Sequence, residues 1–424
     1  MIKQRWTPVF ALLVPLLGLA CGDGAGSGGG QFTGTVTDSA GIQIVRNTTD
    51  GLWPDDGGWT IEQLMQIGEA AGDADYQFGQ IAAVGALSDG RIAVLDQQAQ
   101  RIQIYGPDGA YQESIGGPGN GPGEFSQAAA AMFVGRGDTL VVPDMGNQRI
   151  MLIPPTGDPS SFPMRFEQGI PIRFDMTADG LLVSQRRAMN FGGDDAETSP
   201  TDLVVEQQYD GTVVDTLLTP KRGETFEITR GGPPKLTLFA PEPAWTMLSE
   251  DRLAFAVSDA YRISVFGAGG ELQRIIEFPH EARLVSESDK ETVKKLIRRA
   301  GEQQGAPPQA LDQYINSIAF AEYWPVFTQM RSGPRGTLWV QRVRNLDDMT
   351  DEQLENWNPQ LDQGTPQWDV FEADGRYGGV IELPARFTPL TVAEDRIYGV
   401  FRDDFDVQYV RVYRLDTGQQ PADA

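Results

Sequence analysis

The chain has 424 residues, with 59 Asp and Glu against 34 Lys and Arg and a formal net charge of −25. That balance repels phosphate backbones and anionic headgroups, which excludes nucleic acid as a partner and leaves membrane attachment to an N-terminal lipid anchor. One histidine, His280, and one cysteine, Cys21, exclude multi-histidine zinc sites, cysteine clusters and disulfides, so a hydrophobic core alone must hold the fold.

From the N-terminus, Lys3 and Arg5 precede the apolar run VFALLVPLLGLA, which ends at Ala20. This predicts a signal peptide over residues 1–20, too short to span a membrane as a helix. Gly18-Leu19-Ala20-Cys21 resembles the lipobox of bacterial lipoproteins, with Gly18 where Leu is usual, and the resemblance implies acylation of Cys21. Plain secretion with an unpaired thiol is the alternative, because Gly18 and Ala20 also suit an ordinary signal peptidase. Removal of residues 1–20 takes Lys3 and Arg5 with it and leaves a net charge of −27. Residues 21–34 (GDGAGSGGG after Cys21) read as a flexible tether with nothing to bury. The expected location is therefore the cell envelope, as a lipoprotein facing periplasm or cell surface, or as a soluble exported protein.

Residues 35–418 contain six units of alternating apolar strands joined by Asp-Gly or Gly-Gly turns, such as DGRIAVLDQQAQRIQIYGPDGAYQESIG from Asp89 and EDRLAFAVSDAYRISVFGAGGELQRIIEFP from Glu250. Period-two alternation with hairpin turns marks antiparallel sheets, and six such units predict an all-β, six-bladed β-propeller. The sixth unit lacks an outermost strand and GIQIVRN, Gly41 to Asn47, lacks a partner, so this N-terminal strand is expected to close the ring. Residues 419–424 read as a disordered tail. Gly119, Gly121, Gly123 and Phe125, followed by Asp96/Arg101-type pairs (Asp144 with Arg149 in the second unit), resemble NHL-repeat propellers over about residues 79–160. The resemblance implies that GGPGNGPGEF, Gly116 to Phe125, is an interblade connection and that the Asp/Arg pairs are structural links across a hairpin.

Turns between strands one and two and between three and four of each unit are short. The long insertions, Arg186–Thr201, Thr219–Ala244, Phe278–Met330 and Arg342–Gln367, all fall in the other class, which builds up one face, where function is expected. The largest, over about 280–325, predicts two helices: a capped one with Val293, Leu296, Ile297 and Ala300 on one stripe, then, after Pro307-Pro308, Leu311, Tyr314, Ile315 and Ile318. It reads as a hairpin packed on the rim, a lid, or a docking surface.

No G-x-S-x-G elbow or phosphate-binding Gly-Lys-Ser/Thr motif is present. Oxygen-rich loops are Asp194 with Asp195, Asp347 with Asp348, and Asp403, Asp404 and Asp406, the last three being the candidate ligands for a divalent cation such as calcium. Arg186, Arg187, Arg342 and Arg344 follow strands that face the channel and are candidate ligand-binding residues. Three functions stay open: a binding or scaffold module for an envelope protein, peptide or glycan; a divalent-metal hydrolase or lyase acting on a lactone, ester or glycan; and a subunit of an envelope complex with no small ligand. The second rests on resemblance to six-bladed propellers that hydrolyse lactones.

Overall fold

The structure is a computed structural model that describes residues 30–54, 58–188, 201–223, 225–227, 235–355, 357–359 and 363–417. The leader, Cys21, Asp194, Asp195 and the tail after residue 417 lie outside them. Six sheets of at least four strands each stand around an axis as a six-bladed all-β propeller. The innermost strands are Ile81–Ala86, Phe133–Val134, Ile170–Met176, Pro243–Met247, Met330–Ser332 and Phe387–Ala393, and from each the chain steps outward by antiparallel hairpins.

In blades one and two the second strand is the most deeply buried, because both its faces are covered by neighbouring blades. Ile92–Asp96 and Leu140–Asp144 are buried at every position. The core is accordingly six interblade layers rather than one centre: Leu95, Ile104, Phe125 and Val142 pack together between blades one and two. Val94, Tyr105, Tyr398 and Val410 do so between blades one and six, closing the ring by packing as well as by hydrogen bonds. Each fully buried Leu or Val stabilises by roughly 1.5–3 kcal/mol.

The closing strand differs from the expected one. Thr60–Ile67 completes blade six, antiparallel to Gln408–Asp416, whereas Ile42–Arg46 lies parallel to Leu272–Glu277 on the outside of blade four. Together with Thr35–Ser39 it enlarges that blade to six strands. The reason Thr60–Ile67 escaped notice is a bulge: Met65 opposes Val412 and Gln63 opposes Tyr413, which leaves Leu64 unpaired and 40% exposed. The extra residue breaks the alternation that marks a strand.

Between the two strands, the N-terminal arm laces three blades. Buried Asn47 donates from Nδ2 to the carbonyl oxygens of Glu277 (3.2 Å) and Gly375 (3.1 Å), and its Oδ1 accepts the Tyr377 N–H at 2.7 Å. Trp53 donates to Glu372 Oε1 and stacks on Trp59 at 4.7 Å, and Trp59 sits in the layer between blades five and six with Trp339 and Ile397.

GGPGNGPGEF is the connection into blade two, as expected. Gly116 has φ +92°, and a Cβ there would lie 2.5 Å from the Phe125 ring and 2.6 Å from Gly123 O. Phe125 is fully buried. Asp144 and Arg149 are opposed across their hairpin, but each holds the incoming strap rather than the other. Arg149 donates to the carbonyls of Asn120, Gly121 and Glu124, and Asp144 accepts the Ser126 N–H. Asp96 likewise accepts from Gly79 and Gln80, and Arg101 donates to Ala74 O.

The three later insertions converge into one lobe. Helix α1, Glu287–Gln303, starts at a capping box in which Ser286 Oγ accepts the Asp289 N–H and Asp289 accepts the Ser286 N–H. Helix α2, Pro308–Ser317, begins with Pro at its first position. The lobe has a core of its own, in which Val293 and Ile318 meet Leu238 and Phe239 from the 219–242 insertion and Leu346 and Trp357 from the 342–363 insertion. Trp324 stacks on Phe239 at 3.8 Å and donates to the buried Asp289.

Candidate functional site

The six inner strands enclose a central channel of about 800 Å³. Its wall is divided. Blades one, two and six contribute Ala, Gly, Met, Val and Leu for the most part, whereas blades three to five contribute Arg173, Asp175, Thr246, Gln329, Arg331 and Ser332.

Arg173 and Asp175, two residues apart in regular register, share a side of blade three's inner strand, just after a bulge at Ile172. They turn toward blade four, where the Arg173 guanidinium lies 4.3 Å from the Trp245 ring centroid. Asp175 accepts the Met176 N–H at 2.9 Å and the Met247 N–H at 3.2 Å, so blades three and four are joined through it. Arg331 approaches from blade five. One of its terminal amines reaches Leu390 O at 3.5 Å, and its buried Nε has no hydrogen-bond partner among the described residues.

Burial pushes the Asp175 carboxyl above its ordinary range, against the backbone donors and the nearby Arg173 and Arg331. Burial lowers Arg173, with Asp175 opposing. Arg331 is pushed down to about 10 by burial and then by Arg173, so it remains a cation at neutral pH. Among the described residues Arg173 and Arg331 act on Asp175 through their charge, without a side-chain hydrogen bond to it. Asp175 and Arg331 each stand two residues before a short turn, Thr177–Leu181 and Gly333–Thr337. The charged group therefore lies in the half of the channel toward the face of short turns, away from the lobe, and not on the built-up face where function was expected.

The residues singled out from sequence are placed elsewhere. Arg186 is fully buried inside blade three, donating to Ser184 Oγ, Gln207 Oε1 and Arg165 O. Arg187 and Arg222 both bind the buried Asp202, Arg187 with two bonds of 3.0 and 2.8 Å. Arg342 gives two bonds, 3.0 and 2.7 Å, to Asp369, which also accepts the hydroxyls of Tyr261 and Tyr377. Arg344 donates to Gly364 O. The structure thus uses these four to join strands and blades, and does not bring them together.

Asp403, Asp404 and Asp406 do not converge either. Asp403 accepts the N–H groups of Phe405 and Val407 and the Tyr409 hydroxyl; Asp404 pairs with Arg386 and Asp406 with Arg402. At this loop's tip Phe405 is 88% exposed. Asp347 lies 3.7 Å from Arg283. Among the described residues no three His, Cys, Asp or Glu side chains are grouped as a metal site would need. His280 is exposed at the start of the helical insertion.

The channel residues were missed because IPIRFDM reads as a half-solvated strand, whose polar face is usually outside. The available signal was positional. IAAVGA, in the same place in blade one, carries only small and apolar residues, so a charge in the first strand of a unit points into the ring.

A family model described as a 6-bladed beta-propeller matches residues 73–152, which span blade one and most of blade two. No curated protein matches the chain. Among solved structures, similarity extends to a Bacteroides fragilis protein described, provisionally, as exported, at 12% identity and a TM-score of 0.49, covering 88% of this chain and 99% of that one. It extends also to virginiamycin B lyase from Staphylococcus aureus, at 10% identity and TM-score 0.41 over 84% and 99% of the two chains. A gluconolactonase from Xanthomonas campestris gives 11% identity and TM-score 0.40 over 84% and 99%. At these identities and scores the three structures do not bear on chemistry, and no helix among the described residues is long and apolar enough to cross a membrane.

Proposed function

We propose that this chain is an exported binding module that takes a small ligand into its central channel, on an NHL-type propeller tethered to the envelope through acylated Cys21. The observation that carries the reading is the channel itself. It has the volume of a ligand site, and its charged sector, formed among the described residues by Arg173, Asp175 and Arg331, holds a buried donor, Arg331 Nε, without a partner. The lobe then serves an envelope protein, peptide or glycan as a separate surface. The propeller-type hydrolase or lyase reading is less supported, because among the described residues Asp175 is the one carboxylate lining the channel and both its oxygens accept backbone N–H groups.

The test is retention. Purified residues 31–424 are equilibrated with a small-molecule extract of cell envelopes, washed, and the released compounds identified by mass spectrometry. The same is done with Ser332→Trp, which fills the channel mouth beside Arg331, once its melting temperature shows that it folds. A compound retained unchanged by the wild type and lost in the variant supports the binder. Its conversion to a product supports the enzyme, and equal retention by both proteins would sink the channel as the site.

A further inference from the structure

Resting on the channel as the binding site, we infer that its ligand is a small organic carboxylate, its carboxylate held between Arg173 and Arg331 and its apolar body against the wall from blades one, two and six. Three observations lead there. Charge comes first: among the described residues two guanidiniums and one carboxylate line a channel otherwise without ionic side chains, so one positive charge is uncompensated, and a monoanion restores balance.

Hydrogen bonding comes second. Among the described residues Arg173 has a ring contact and no hydrogen bond, while Arg331 has one long bond and a buried Nε with none. Buried donors are nearly always paired, so the open Nε of Arg331 calls for a partner, and an acceptor in the channel would supply one. A planar carboxylate matches the guanidinium fork, whereas Asp175, engaged by Met176 and Met247, cannot turn to fill that role.

Shape comes third. Ala82, Ala86, Met132, Val134, Leu390 and Val392 give the facing wall no charge and little polarity. An ion such as sulfate would leave that surface wetted, while an acyl or aryl body would cover it.

Octanoate and phenylacetate are the probes, with octanamide and phenylacetamide as neutral counterparts and sulfate as the anion without a body. Thermal denaturation of residues 31–424 is followed as each is titrated. The expectation is a saturable rise of roughly 3 °C at about 100 times the dissociation constant for a carboxylate, at least tenfold weaker for its amide and for sulfate. Arg173→Met and Arg331→Met should each weaken carboxylate binding at least tenfold, and Arg331→Lys should recover part of the loss, since an ammonium keeps the charge without the fork. Amides that bind as tightly as the acids would overturn the carboxylate inference while leaving the channel as a ligand site. If neither acids nor amides bind while the extract still yields a retained compound, the inference again fails alone. If nothing binds in either experiment, the channel reading fails with it.

Discussion

Asp202 shows how a single side chain decides whether an arginine is available. It is buried, and two guanidiniums and the Gln185 amide point at it. Burial alone would raise its pKa, but the bonds from Arg187 and Gln185 and the charge of Arg222 prevail and hold the carboxyl below its ordinary value. A carboxyl depressed in the folded state stabilises fully above its unfolded pKa of about 3.9 and loses that contribution as pH falls through the folded value. Asp202→Asn should cost about 3 kcal/mol at pH 7, because two cations then lack their counter-charge. Its melting temperature should also fall less than that of the wild type between pH 5 and pH 2.5, and parallel curves would contradict the assignment. At Gly116 the constraint is steric: a methyl group would meet Phe125 and Gly123 O at a positive φ. Gly116→Ala should therefore destabilise by about 2 kcal/mol in urea unfolding, whereas Gly117, with nothing within 4 Å of its would-be Cβ, should accept Ala nearly unchanged.

At the scale of elements, the arm from Asn47 to Ile67 does what was assigned to Gly41–Asn47. Truncation before residue 47 removes the two added strands of blade four and leaves four antiparallel ones, so the protein should still melt cooperatively, a few degrees lower. Deletion of Thr60–Ile67 takes the outermost strand from blade six and uncovers Val410 and Val412, which should abolish the cooperative transition in calorimetry. Trp59→Ala, in the layer between blades five and six, should cost about 3–5 kcal/mol. The six units were legible because hairpins announce themselves locally, in two-residue periods and Asp-Gly turns. Strand order across the ring was not: GIQIV has cleaner alternation than TIEQLMQI, yet a bulge at Leu64 lets the second pair with Gln408–Asp416. The helical insertion was legible too, through its Ser286 cap and apolar stripe, although its partners come from insertions that sequence keeps far apart.

For the whole molecule, the two faces divide the work. One face has short turns throughout, and the charged end of the channel opens toward it. The other carries the lobe, in which a groove of about 490 Å³ runs past Tyr323 and Trp324. The candidate site was hardly legible beforehand, because arginines at strand ends look like ligand residues until Asp202 and Asp369 are seen to occupy them. The pair that is left unoccupied, Arg173 and Arg331, is separated by more than 150 residues, and only ring closure brings blades three and five to one axis. The measurement that tests this account most directly is a crystal structure of residues 31–424 soaked with octanoate. The account predicts density for the carboxylate between Arg173 and Arg331, with the chain along Ala86 and Val134. Density for octanoate only in the lobe's groove, with water alone beside the two arginines, would contradict it.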